Sequence, residues 1–128
     1  TIYGDVAFDS GRGGTVLSTE QLFAYLARHL RPARILLAGQ EDGVFEDYPR
    51  REKPVPKITP RSFPSQEHAL GGAAETDVTG GMLAKVREML KLVKANPELE
   101  IRVFSAASPG ALRAALEGET RGTLICGE

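Results

Sequence analysis

A single cysteine, Cys126, occurs in the 128 residues, so no disulfide can close within the chain. Imidazoles are almost as scarce. His29 and His68 stand alone, no metal-ligand spacing can be assembled from them, and no metal site built by the protein is expected. No apolar run approaches the roughly 20 residues that a membrane-spanning helix needs, and no charged, apolar and small-residue succession marks a signal peptide. Neither sign of charge dominates: 16 Lys and Arg stand against 17 Asp and Glu, for a net charge of -1. These charges are intermixed, which leaves no basic field for nucleic acid and no polybasic patch for a membrane surface. The absences predict a cytoplasmic protein with no nucleic-acid or membrane partner. An initiator methionine is also missing and the chain opens directly in a strand-like run, which predicts a piece of a longer polypeptide.

What is present is an ordinary soluble composition, 41% hydrophobic and 26% charged, at a length suited to one domain or part of one. Ile2 to Phe8 alternates apolar and polar residues, the cluster Ser10-Gly11-Arg12-Gly13-Gly14 follows, and Thr15-Val16-Leu17 is β-prone, a pattern that predicts a hairpin. Ser18 with Gln21 makes a capping box, and Leu22, Phe23, Leu26 and Leu30 recur at helical spacing until Arg31-Pro32. A helix is predicted over residues 19–30. Ala33 to Ala38 is nearly continuously apolar, with a turn signal at Gly39, as expected of a strand buried on both faces at the centre of a parallel sheet.

From Gln40 to about Ser65 the composition changes: five prolines fall between Pro49 and Pro64, beside the basic run Arg50-Arg51-Glu52-Lys53. A long exposed excursion is predicted, of a length more often functional than filler. A short helix around Gln66 to Leu70 precedes Gly71-Gly72. A longer helix then runs to about Ala95, with Met82, Val86, Met89, Leu90 and Val93 on one stripe that reads as core. Glu100 to Phe104 predicts a strand, Pro109 to Leu116 a helix capped by Ser108 with Pro109 at its first position, and Gly122 to Cys126 a last strand. Helices alternating with buried strands predict an α/β three-layer sandwich with a mostly parallel central sheet and ligands at the carboxyl ends of its strands.

The stretch Thr76 to Val86 carries the chemistry. It puts Gly80-Gly81 at the mouth of the long helix and Lys85 in its first turns. Glycine lets backbone approach an anion closely, first-turn N–H groups point at it, and an ammonium adds a full charge. Capping of those N–H groups by Asp77 or Thr79 is the plainer use of the same residues. Gly39-Gln40-Glu41-Asp42-Gly43-Val44-Phe45, following the central strand, lies where a nucleotide is expected.

Together these segments resemble the nucleotide-binding half of the amino acid kinase superfamily. There a strand ends in a pattern similar to T-D-V-D-G-V-Y, with Pro shortly after, and a later T-G-G-M-x-x-K opens the helix with a phosphate-binding lysine. The matching residues are Gly39 to Phe45 with Pro49, and Thr79 to Lys85. Tyr3-Gly4-Asp5-Val6, Pro109-Gly110 and Gly122 to Ile125 look most like the isopentenyl phosphate kinases, with fosfomycin kinase-like proteins as near neighbours. The resemblance extends over essentially the whole chain.

It implies that residues 1–128 are the carboxyl-terminal nucleotide-binding part of a kinase that acts with ATP and Mg2+ on a small phosphate or carboxylate acceptor, as a homodimer at full length. Isopentenyl phosphate is the acceptor implied first. Fosfomycin, acetylglutamate, a carbamate or a nucleoside monophosphate, or a nucleotide-sensing domain without catalysis, are the alternatives. Lys85 matches the lysine at the transferring phosphoryl group. Gly39, Asp42, Gly43, Val44, Phe45, Gly80, Gly81 and Met82 match positions beside the nucleotide, and Gly4 and Asp5 face the acceptor. Glu20 stands where the family presents an aspartate that orients catalytic lysines, although helix-dipole compensation also favours an acid there. Tyr48 precedes Pro49, with Asp47 one position earlier, where the family often has Asp directly before Pro. The family's remaining phosphate lysines and its glycine-rich loop belong to the amino-terminal half, so these 128 residues alone are expected to be inactive. Arg12, His29, His68 and Cys126 read as turn, surface and small buried residues outside the mechanism.

Overall fold

The computed structural model describes residues 1–47, 50–71 and 78–128, which form two compact units, Thr1–Pro32 and Ala33–Glu128. Asp77, one of the two predicted caps, lies outside the described residues, as do Tyr48 and Pro49.

In the first unit β1 (Asp5–Ala7) pairs antiparallel with β2 (Thr15–Leu17), Val6 opposite Val16. Asp9 organises the turn: its Oδ1 accepts from the N–H groups of Gly11 (2.9 Å) and Arg12 (2.7 Å), and its carbonyl from that of Gly13 (2.8 Å). Arg12 is an exposed turn residue. Helix α1 (Thr19–Leu30) has the predicted bounds because its start is locally encoded. Ser18 Oγ accepts from Gln21 N at 3.2 Å while Gln21 Oε1 accepts from Ser18 N at 2.9 Å, which satisfies two N–H groups the helix would otherwise leave open. Leu22, Phe23 and Leu26 are half-buried, whereas Leu30, placed on the same stripe by spacing, is 71% exposed.

The second unit holds a four-stranded sheet of order β3 (Arg34–Gly39), β5 (Glu100–Ser105), β6 (Thr123–Cys126), β4 (Lys57–Ile58). Two of its three pairings, β3 with β5 and β4 with β6, are parallel, and β5 with β6 is antiparallel. The α/β class with a mostly parallel sheet is therefore observed. Placement of β3 is not as predicted. It is an edge strand of this sheet, and only Ile35 in it is buried. An apolar run reports its composition, not how many neighbours flank it, and here one flank carries no described strand.

The excursion also needs correction, because it contributes β4. Val55 and Ile58 are 3% and 0% exposed, and the Pro56 carbonyl accepts from Leu124 N at 3.0 Å. Proline has no N–H to give a ladder, so a strand bracketed by Pro54, Pro56 and Pro60 escapes pattern reading. Helix α2 (Phe63–Gly71) begins earlier than predicted, after Thr59 and Ser62 exchange side-chain to backbone bonds of 2.9 and 3.0 Å.

Helix α3 (Val78–Ala95) starts before Thr79, which is thus inside the helix and not its cap. Val86, Met89, Leu90 and Val93 are buried and Met82 is half-buried, as the stripe predicts. This helix packs on β5 and β6. Helix α4 (Ala111–Leu116) is shorter than predicted. Its cap is Gly110, at φ 81 with no side-chain bond, while Ser108 offers only its carbonyl to Ala111 N at 3.1 Å and Pro109 lies before the helix. Glycine takes this left-handed backbone without strain, so the helix starts there without the side-chain cap a serine would have supplied.

One row of isoleucines crosses the sheet in register: Ile35 faces Ile101, Ile101 faces Ile125 and Ile125 faces Ile58, none more than 7% exposed. Each buries enough apolar surface to contribute about 1.5–3 kcal/mol. Among the described residues no helix is long and apolar enough to cross a membrane.

Candidate functional site

The carboxyl end of β3 feeds the segment that forms one wall of a cleft. Gly39 still belongs to the ladder, its carbonyl accepting from Ala106 N at 2.9 Å. The chain then turns through Gly43, at φ 146, and buries Val44 at 2% exposure. Val44 is held from two sides: its N–H donates to Thr123 Oγ1 (2.8 Å), and its carbonyl accepts from Val55 N (2.8 Å). Thr123 Oγ1 in turn donates to the Val55 carbonyl at 2.7 Å. Phe45 bridges Pro54, and Glu46 N donates to the Lys53 carbonyl at 3.0 Å, so residues 44–46 and 53–55 form two joined limbs.

Asp47 closes the tip of that loop. Its carboxylate accepts from Lys53 N (2.9 Å) and Glu52 N (3.1 Å). Desolvation by itself would raise its pKa, but these backbone donors outweigh it and hold the group below its ordinary 3.8. The sign follows directly. A depressed folded value stabilises the loop above pH 3.8, and the contribution is lost as pH falls through the folded value. We expect the amide resonances of Glu52 and Lys53 to titrate together with a midpoint below 3.8; a midpoint above it would refute the clasp. Arg51, at φ 61, sits within this loop and pairs with Glu41 at 2.7 Å.

The opposite wall comes from α3. Gly81, Met82, Leu83, Lys85 and Val86, with Leu70 of α2, face Glu41, Gly43, Val44 and Phe45 across a cleft of about 210 Å³. The walls are mainly apolar, and Lys85 and Glu41 are their charged members. Gly80 and Gly81 lie in the first turn of α3, whose four leading N–H groups have no partner within the helix. A Cβ built on Gly81 meets no atom within 4 Å, so packing does not explain glycine there.

Of the residues singled out from sequence, Gly43, Val44, Phe45, Gly81, Met82 and Lys85 thus line one cleft. Gly39 and Asp42 do not. Gly39 completes the β3 ladder, and Asp42 is exposed beside Arg121, whose guanidinium is held above its ordinary value first by the hydrogen bond to Glu119 and also by the charge of Asp42. Gly4, Asp5 and Glu20 belong to the first unit. Gly4 N donates to Thr19 Oγ1 at 2.9 Å, and a Cβ there would stand 2.7 Å from the Leu17 carbonyl oxygen, so contact with β2 requires glycine. Asp5 is exposed, its Oδ1 accepting from Val6 N at 2.7 Å, and Glu20 is half-buried in the first turn of α1. Glu41, Leu70, Leu83 and Thr123 were not identified from sequence. A threonine opening a terminal strand carries no signal of a bond to a residue 79 positions away.

Known proteins resemble this chain in sequence and fold. The chain is 38% identical over 130 residues to an isopentenyl phosphate kinase of Methanothermobacter thermautotrophicus, which aligns 99% of this chain with 48% of that protein. It is 32% identical over 122 residues to a uridylate kinase of a Bradyrhizobium species, covering 95% of this chain and 46% of that one. Among solved structures, an isopentenyl phosphate kinase superposes with a TM-score of 0.68 at 31% identity over 97% of this chain and 43% of its own. The chain therefore spans about half the length of the curated relatives it matches. A family model for the amino acid kinase family matches residues 1–105. That match runs unbroken through the hairpin, the loop after β3 and the lysine-bearing helix, and this chain belongs to the amino acid kinase family.

Proposed function

We propose that the full-length protein is an ATP-dependent kinase that converts isopentenyl phosphate to isopentenyl diphosphate, and that this chain is its carboxyl-terminal nucleotide-binding part. The observation that carries the donor side is the cleft in which Lys85 and the first turn of α3 face the loop 43–45 across apolar walls. At about 210 Å³ it is smaller than the roughly 300 Å³ at which ligand pockets begin, so it holds one moiety of a nucleotide and leaves the rest outside. The base lies against Val44, Phe45 and Met82, and the phosphates extend toward Gly80, Gly81 and Lys85. Gly39 and Asp42 complete the surroundings of the nucleotide.

In the transfer, an oxygen of the acceptor phosphate forms a bond to the γ-phosphorus as the bond to the β,γ-bridging oxygen breaks and ADP departs with that electron pair. Charge spreads over the γ-oxygens in a loose transition state, and the Lys85 ammonium offsets it. Among the described residues no three His, Cys, Asp or Glu side chains converge on a cation position. Mg2+ would be held by the phosphates of the bound nucleotide and would supply charge neutralisation there. Glu20 orients phosphate-binding groups, and Gly4 and Asp5 meet the acceptor.

An apolar-tailed acceptor is favoured by the hairpin. Val6 and Val16, opposite each other beside Gly4 and Asp5, are 72% and 74% exposed. A pair of exposed valines suits an isoprenoid chain better than a uracil ring or an amino acid. Val16→Asn is therefore expected to raise KM for isopentenyl phosphate by roughly tenfold, about 1.4 kcal/mol, and to leave KM for ATP unchanged; an unaltered KM for isopentenyl phosphate would remove the hairpin from the acceptor site.

The reading implies a cytoplasmic homodimer that works in isoprenoid biosynthesis, the open edge of β3 pairing with further strands of the full-length chain. The decisive assay supplies full-length protein with ATP, Mg2+ and, in parallel, isopentenyl phosphate, UMP, fosfomycin, acetylglutamate and carbamate. Diphosphate formation from isopentenyl phosphate at the highest kcat/KM is expected. Preference for another acceptor would reassign the substrate, and nucleotide binding without turnover would make the protein a sensor.

A further inference from the structure

We propose that Thr123 is a positioning residue for the cleft wall formed by Gly43 and Val44, an inference that rests on the nucleotide reading above. Thr123 does not line the cleft. It opens β6 at 1% exposure, in register with Val103 of β5, and so belongs to the rigid sheet. From there its hydroxyl accepts from the Val44 N–H (2.8 Å) and donates to the Val55 carbonyl (2.7 Å). A hydroxyl can do both because it is donor and acceptor at once. Val44 and Val55 are 2% and 3% exposed, so water does not readily replace the bond to either.

Gly43 is the other half of the device. A Cβ on it would stand 2.8 Å from Thr123 Oγ1 and 3.1 Å from Thr123 N. The wall approaches β6 this closely because the side chain is absent. One hydroxyl therefore sets the distance between sheet and loop, and through Val44 the width of the slot facing Met82 and Lys85.

Valine is isosteric with threonine but leaves a buried N–H and a buried carbonyl unpaired. In the full-length protein Thr123→Val is expected to raise KM for ATP by at least about tenfold, with KM for isopentenyl phosphate within about twofold of wild type. Thr123→Ser keeps the hydroxyl and is expected to restore KM for ATP to within about threefold. A merely structural threonine would lower the melting temperature without splitting the two KM values. Wild-type KM for ATP in Thr123→Val overturns the proposal. Should that variant fail to fold, Gly43→Ala displaces the wall from the opposite side with the hydroxyl in place, and a wild-type KM for ATP there overturns it equally. Wild-type protein is first titrated with ATP alone. No binding removes the nucleotide reading together with this inference, whereas binding that Thr123→Val leaves unchanged removes the inference only.

Discussion

Replacing Lys85 by Ala in the full-length protein is expected to lower kcat by roughly two to three orders of magnitude, about 2.7–4 kcal/mol of transition-state stabilisation. KM for ATP should change much less. Negative charge on the γ-oxygens is bound in the ground state as well, but the ammonium acts chiefly on charge that redistributes as the phosphoryl group moves, and an interaction stronger in the transition state appears in kcat. Lys85 is exposed on the cleft side of α3, one turn after Gly81, so its removal does not open a cavity in the core. Lys85→Arg keeps the charge but replaces a compact ammonium with a planar fork, and it should recover only part of the rate. A Lys85→Ala protein with near-normal kcat would leave the lysine a purely structural role and withdraw the mechanism proposed for it.

The second large effect concerns stability. Gly122 precedes Thr123 at φ 72, and a Cβ there would lie 1.9 Å from the Val103 carbonyl oxygen and 2.9 Å from its carbon. Backbone cannot swing aside as a flexible side-chain end can, so the β5–β6 ladder itself must shift. Left-handed strain alone is worth about 1–2 kcal/mol. With the displacement added, Gly122→Ala is expected to lower the free energy of unfolding by about 3 kcal/mol or more, a large part of a typical domain's margin. Urea unfolding with an unchanged m-value measures it, and a loss under about 1 kcal/mol would show that the strand absorbs the methyl group. Because Gly122 adjoins Thr123, a folded variant should also bind ATP more weakly.

Legibility in the sequence followed the range of the interactions. Helix α1 was predicted to its terminal residues because Ser18 and Gln21 are neighbours that specify the start between themselves. The α3 stripe was legible for a similar reason, as one turn repeats the last. The strand Lys57–Ile58 was not, since its evidence lies in the β6 residues it pairs with. Nor was the edge position of β3, which depends on neighbours and not on its own residues. At the candidate site, Gly81 and Lys85 were legible because a glycine and a lysine at a helix start have local chemical meaning, whereas Gly43, Val44, Phe45 and Met82 were reached through the resemblance to the amino acid kinase family. Leu70 and Thr123 were missed because their contribution exists only once α2 and β6 are folded against the loop.

The row Ile35, Ile101, Ile125 and Ile58 has a consequence for error during folding. Strand β4 is two residues long and could in principle seat itself one step early or late on β6. A one-residue slip turns a strand's side chains to the opposite face, so it would bring Lys57 or Thr59, depending on its direction, opposite Ile125 and lift Ile58 out of the row. The isoleucines therefore act as a lock with one setting. Only in that setting does Val55 arrive opposite Val44, and the cleft wall inherits its alignment from a sorting decision made in the apolar interior.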